Sequence, residues 1–195
     1  VEFDASVALP ASKRDAIARL DYGLNGKLMI GFAGRPWYER LNSDGGNYSD
    51  LPNHQNTWET NPRNAQYGVR GLLTDYSGGN WAARLDPSRT QAEATAFLAD
   101  LEKVWPGTTA LAVRNGRGQV LAHLENWERN PLFGGGYTNN QPGYFTTLEG
   151  RYAQPVGRLL FAGEHTDSFY QYQGFMEGAL LSGARAADQA WRLLR

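Results

Sequence analysis

The residues whose spacing carries most chemistry lie in the last forty positions, 156–195. Gly174, Gly178 and Ser182 recur at helical intervals, with Ala179, Gly183 and Ala187 on the stripe beside them. This spacing predicts a helix that begins near Gly174 and runs to the C-terminus. A glycine inside a helix costs about 1 kcal/mol relative to alanine. Three of them within ten residues point to a body that must approach the backbone closely. Ahead of this helix, Leu159-Leu160-Phe161-Ala162 is a short apolar run that stops at Gly163 and reads as a buried strand. A helix start leaves unpaired N–H groups and about half a positive charge facing the preceding turn. Such an end suits the electron-rich edge of a flat or anionic ligand. The same stripe would equally let the helix pack tightly on a sheet or another helix.

No paired acid and base, activated nucleophile or metal-ligand spacing competes with this segment. His54, His123 and His165 are scattered and read as structural or surface residues. The absence of cysteine excludes disulfides, thiolate metal sites and a cysteine-linked cofactor, and leaves the redox compartment open.

A second cluster runs from Trp127-Glu128-Arg129-Asn130-Pro131 through Phe133-Gly134-Gly135-Gly136-Tyr137 to Pro142-Gly143. Taken with Phe161-Ala162-Gly163-Glu164-His165-Thr166, Gly174-Phe175-Met176-Glu177-Gly178-Ala179 and Ser182-Gly183, it resembles the C-terminal signature of the flavin-dependent amine oxidases. That family includes monoamine, polyamine and L-amino-acid oxidases. The resemblance implies FAD as cofactor, with Gly163, Glu164, Gly174, Phe175 and Met176 touching it. It places the Met176 N–H at the pyrimidine carbonyl, Ala179 under the ring or ribityl chain, and Trp127 at the dimethylbenzene side. Tyr137 and Phe175 would form an aromatic cage for the substrate amine; many relatives carry tyrosine at the second position. Some relatives attach flavin through a cysteine just before that first tyrosine. Here that position is Gly136, which implies non-covalent binding.

The implied reaction oxidises a primary amine or L-amino acid to an imine, which hydrolyses to an aldehyde or keto acid and ammonia while O2 becomes H2O2. Arg35, Arg63, Arg70 and Arg84 are candidates to hold a substrate carboxylate, or are solvated surface charges. A polyamine oxidase would use channel carboxylates such as Asp50, Glu59 or Asp75. A non-catalytic binding or assembly module derived from the same fold is the other alternative. Two family parts are missing from the sequence: the GxGxxG strand–turn–helix that seats the ADP pyrophosphate, and a lysine near flavin N5. The chain begins Val1-Glu2-Phe3-Asp4 without methionine. It reads as a processed piece whose N-terminal half is expected on a second chain after proteolytic maturation.

The elements that must position these residues read as follows. Residues 9–20 form a helix started by Pro10 and Ser12, with Ile17 and Leu20 on one face. Strands are expected at 27–32, 56–60, 71–76 and 120–127, with loops at 42–52 and 61–68 and a turn at Ser77-Gly78-Gly79. Residues 88–105 form an amphipathic helix capped by Asp86-Pro87-Ser88 and stopped by Pro106-Gly107. Its inner face carries Ala92, Ala96 or Phe97, Leu101 and Val104; Glu93, Asp100, Glu102 and Lys103 lie opposite. The fold class is α+β or α/β: residues 1–129 are a segment of a mixed-sheet substrate domain, and 130–195 supply the final strand and helix of a Rossmann-like FAD-binding domain. A net charge of −1 gives no basic field for nucleic acid. No run of about 18 apolar residues offers a membrane span.

Overall fold

The computed structural model describes residues 3–4, 6–60, 70–168 and 171–195. The expected loop at 61–68 lies outside them. The chain forms two compact units, one of Val1–Gly23 with Tyr137–Arg195, the other of Leu24–Gly136. In chain order the elements are α1 (Ala11–Arg19), β1 (Asn25–Phe32), α2 (Pro36–Leu41), β2 (Asn47–Tyr48), β3 (Asn56–Glu59), β4 (Gly71–Gly78) and α3 (Gly79–Arg84). They continue with α4 (Thr90–Val104), α5 (Thr108–Leu111), β5 (Ala122–Asn126), α6 (Tyr144–Thr147) and α7 (Met176–Leu193).

The unit of Leu24–Gly136 is built on one sheet of order β2-β3-β4-β1-β5. Among the described residues every strand pair is antiparallel, so the expected mixed sheet is not found there. Sheet neighbours are not all chain neighbours: β1 pairs with β4 and with β5 across long stretches of chain that carry α2 to α5 and the remaining strands. In β1, Leu28, Ile30 and Phe32 alternate onto the buried face and meet Leu73 of β4 and Leu124 of β5 in one core. Phe97, Leu98 and Leu101 of α4 cover them, with Trp37 and Trp105 at one side. Each such large side chain contributes about 1.5–3 kcal/mol when fully buried. β4 runs through the expected turn at Ser77-Gly78, and Gly79, with φ of +52°, opens α3 directly.

The Asp86 carboxylate accepts from the Ser88 amide at 3.0 Å and so caps a 3-10 turn over Pro87–Arg89. α4 itself starts after it, at Thr90, with no side-chain cap, later than the Asp-Pro-Ser spacing predicts. The buried face of α4 is rotated from the expected one: Ala94, Phe97, Leu98, Asp100 and Leu101 face inward and Ala92 faces out. Asp100 turns inward because it accepts from the Asn53 amide at 2.8 Å and the Asn53 side chain at 3.1 Å. It thereby holds the loop ahead of β3, with Lys103 neutralising it at 2.7 Å. The neighbouring His54 is fully buried edge-on to Phe97, and burial pushes its imidazole below the usual pKa. Asp75, on β4, is 2% exposed and accepts from the Gln55 and Asn56 amides and the Ser77 hydroxyl. Burial raises its carboxyl from 3.8 to about 6.

In the other unit α1 buries Lys13 and Ala16; of the expected apolar pair, Leu20 packs against the core while Ile17 is 39% exposed. The Lys13 ammonium donates to the carbonyls of Arg151 at 2.5 Å and Tyr152 at 3.0 Å and lies 4.0 Å above the Phe161 ring. Ala16 joins Tyr144, Leu148 and Tyr152 in a small core. These bonds group the N-terminal helix with the C-terminal segment. The run Leu159–Ala162 is not a strand: Val156 and Leu159 close a turn on each other, and Leu160 is half-buried. A strand needs a neighbouring ladder, and no other strand pairs with this run among the described residues.

α7 begins at Met176, two residues later than its glycine spacing suggests, because Gly174 has φ of +83° and turns the chain instead. The glycines of the stripe separate in role. A side chain at Gly178 would collide with the backbone carbonyl of Tyr172, whereas Gly183 faces open space.

Two outcomes follow from these environments. The folded protein holds the Asp75 proton at pH values where the unfolded chain has lost it, so this contribution is present below pH 3.8 and is lost as pH rises through about 6. Asp75→Asn is therefore expected to gain stability over wild type as pH climbs from 4 to 7, on the order of 1–3 kcal/mol, read from urea melts at each pH. A pH-independent difference would contradict it. In α7, Gly178→Ala is expected to cost about 1–3 kcal/mol by overpacking, while Gly183→Ala gains up to about 1 kcal/mol of helix propensity. Equal melting midpoints for the two variants would refute the close approach at Gly178.

Candidate functional site

The predicted ring-facing residues are positioned by a short antiparallel pairing and one carboxylate. Gly23 donates its amide to the Tyr137 carbonyl at 2.6 Å, and Asn139 donates to the Asp21 carbonyl at 3.0 Å. This bridges Tyr22 to Thr138 and sets the Tyr137 ring against Gly23. From the other side, one oxygen of Glu164, Oε1, accepts from the Thr138 amide at 2.9 Å and the Thr138 hydroxyl at 2.7 Å. Its second oxygen, Oε2, accepts from the Gly174 amide at 2.7 Å. The Tyr22 phenol is pushed above its usual pKa by burial and then by the Glu164 charge.

The local sequence holds Glu164 in place. Gly163 has φ of +137°, a conformation open to glycine, and leads into a single 3-10 turn over Glu164–Thr166. The Thr166 amide and hydroxyl both donate to the Gly163 carbonyl, at 3.0 and 2.8 Å. The Gly163 amide donates to the Ser182 hydroxyl at 2.9 Å, which itself donates to the Ala179 carbonyl at 2.8 Å. Arg185 reaches back from α7 to the Phe161 carbonyl and the Thr166 hydroxyl at 3.1 and 2.8 Å. Gln173 completes the frame by donating to the His165 carbonyl at 3.2 Å and accepting from Asn140 at 2.6 Å.

The predicted residues of this unit are thus joined by hydrogen bonds or direct succession. Glu164 links the Tyr137-Thr138 corner to the Gly174-Phe175 turn, Ser182 links Gly163 to Ala179, and Met176 is the first residue of α7. Phe175 is 64% and Met176 92% exposed, Tyr137 is 39% exposed, and Gly174 and Ala179 are also at the surface. No side chain caps α7, so its first amides point out of the helix end without side-chain partners. An exposed aromatic, a left-handed glycine and an uncapped helix start fit the electron-rich edge of a flat cofactor. Trp127 stands in the other unit just after β5, its amide on the Asn25 carbonyl at 3.1 Å and its ring edge-on to Phe133 at 5.2 Å.

The charged substrate candidates behave differently. Arg35 donates from Nε at 2.9 Å and Nη2 at 2.5 Å to Glu59, whose same oxygen accepts from the Trp37 indole at 3.1 Å. Both side chains are buried, so the fold consumes a carboxylate-binding arginine and a channel carboxylate together. Removing one partner of such a pair costs roughly 3–5 kcal/mol. Arg84 lies 5.5 Å from the Trp81 ring and reaches the Pro52 carbonyl at 3.3 Å, at a cleft of about 170 Å³ that Asp75 and Glu93 also line. Arg70 and Asp50 are exposed, and Arg63 lies outside the described residues. Among the described residues no three His, Asp or Glu side chains come together as a metal site, and no helix is long and apolar enough to cross a membrane.

Sequence reasoning did not find the bracing role of Glu164, the Ser182 link or the buried Lys13. A serine interrupting a small-residue stripe was the visible signal for the second; the other two depend on partners far along the chain.

The sequence model of the flavin containing amine oxidoreductases matches residues 1–190. The L-amino-acid oxidase of Mus musculus is 29% identical over 187 residues, covering 93% of this chain and 27% of that protein. The flavin-containing amine oxidase A of Bos taurus is 42% identical over 71 residues, covering 36% of this chain and 13% of that protein. Among solved structures, cyclohexylamine oxidase from Brevibacterium oxydans superposes with a TM-score of 0.76 at 25% identity, over 96% of this chain and 39% of that one. The chain therefore spans well under half the length of the relatives that it matches nearly end to end. With the family match running through almost all its residues, the chain belongs to the flavin-containing amine oxidoreductases.

Proposed function

We propose that this chain is the closing part of an FAD-dependent oxidase acting on a primary amine or an L-amino acid, with O2 reduced to H2O2. The observation that carries the reading is the exposed Gly174-Phe175-Met176 entry to α7, tied through Glu164 to the corner that bears Tyr137. The near end-to-end likeness to an L-amino-acid oxidase supports an amino acid among the substrates. The Arg35–Glu59 pair argues against Glu59 as a polyamine-binding carboxylate.

In this reading residues 1–129 belong to the substrate domain and 130–195 close the flavin domain. The segment seating the ADP portion would be contributed from outside these residues. Gly163, Glu164, Gly174, Phe175, Met176, Ala179 and Trp127 would hold the flavin. Held by these residues, a flavin would supply two-electron oxidation at the amine-bearing carbon. The protein's part is electrostatic and steric. The Met176 amide, at the positive end of α7, would stabilise negative charge on the cofactor edge. Tyr137 and Phe175 would orient the amine, and an aromatic face attracts a cationic amine by about 0.5–2 kcal/mol. With no cysteine in the chain and glycine at position 136, the flavin would be bound non-covalently.

The protein purified from its native source should carry a visible band near ~450 nm, and acid precipitation should release the chromophore into the supernatant. A colourless protein would overturn the oxidase reading, and flavin retained on the precipitated chain would overturn non-covalent binding. In the flavin-loaded enzyme Phe175→Ala should lower kcat/KM for amine by roughly tenfold, from lost orientation and cation–π attraction. Unchanged steady-state kinetics would remove Phe175 from the cage.

A further inference from the structure

Glu164 has the composition of a cofactor ligand and the bonding of a brace. Its two oxygens accept three hydrogen bonds from Thr138 and Gly174, and no salt bridge among the described residues includes it. Each partner stands next to one member of the expected aromatic cage: Thr138 follows Tyr137, and Gly174 precedes Phe175. Two of the three donors are backbone amides, which cannot rotate to follow a displaced acceptor. One carboxylate therefore fixes the separation of two backbone segments that lie 36 residues apart in the chain, Thr138 and Gly174. Phe175 has no comparable anchor of its own, since its amide bonds only to the Tyr172 carbonyl in the same turn. Gly174, with its φ of +83°, presents its amide to Glu164 from a left-handed turn.

We propose that Glu164 is the positioning residue of the amine cage, a strut whose two oxygens set Tyr137 and Phe175 in register with each other. The proposal rests on the oxidase reading for the cage itself; the strut stands on geometry alone. A carboxylate is required because it offers two acceptor oxygens to opposed donors. Glutamine keeps one acceptor and turns its NH2 toward the other amide, aspartate is one methylene short of both, and alanine removes the link.

The test is residue-resolved hydrogen exchange at Thr138 and Gly174, with and without flavin, joined to steady-state kinetics of the loaded enzyme. Loss of a charge-assisted bond should speed exchange by about tenfold to a hundredfold. Glu164→Ala should open both amides and Glu164→Gln only one of them. In kinetics both variants, compared with wild type per mole of bound flavin, should raise the amine KM by roughly tenfold, because the cage is loosened. If both amides keep their protection in Glu164→Ala, the strut is wrong, whatever happens to the flavin. If the wild-type protein holds no flavin, the oxidase reading fails, and the exchange pattern still decides whether the carboxylate braces the two segments.

Discussion

A carboxylate bonded to two separate stretches of backbone organises the unit that bears the predicted ring-facing residues. Glu164 draws the Tyr137-Thr138 corner and the Gly174-Phe175 turn onto one side chain. Its own position is inherited from the left-handed Gly163 and the Ser182 hydroxyl beneath it. Such a polar network is worth having only when its members are satisfied, and here each carboxylate oxygen has a donor. The cage residues can then be exposed and still be placed, because their neighbours, not their rings, are held.

Elsewhere the fold uses its buried charges for itself. Arg35 and Glu59 neutralise each other under Trp37, Asp100 staples a loop to α4, and Lys13 spends its ammonium on two carbonyls and an aromatic face. Arg35 and Glu59, two of the candidate substrate-binding charges, are thereby removed from the surface. This leaves aromatic and backbone groups at the proposed site, which suits a reaction whose chemistry the cofactor carries and whose protein contribution is orientation and field.

The glycines of α7 show how one pattern can have several causes. Gly174 turns the chain, Gly178 yields to the Tyr172 carbonyl, and Gly183 answers to nothing within reach. A stripe at helical spacing suggested one large neighbour for all three. The close neighbour at Gly178 is the chain's own preceding turn.

By itself the sequence determined the elements with strong periodicity or punctuation: β1 from Lys-Leu-Met-Ile-Gly-Phe, β3, β4 and β5 from short runs set between loop residues, and α4 from its amphipathic spacing and the Pro106-Gly107 stop. It also carried the family through the two motif clusters, because those residues are adjacent in the chain and need no folding to be read. Only the tertiary structure decided which face of α1 and α4 is buried, since Lys13 and Asp100 go inward for partners that lie far along the chain or in a neighbouring loop. It likewise decided that Leu159–Ala162 is not a strand, because a ladder is a property of two segments. Arg35 and Glu59 became a structural pair, and Glu164 a link between Thr138 and Gly174, for the same reason: hydrogen bonds obey distance in space, and the sequence records distance along the chain.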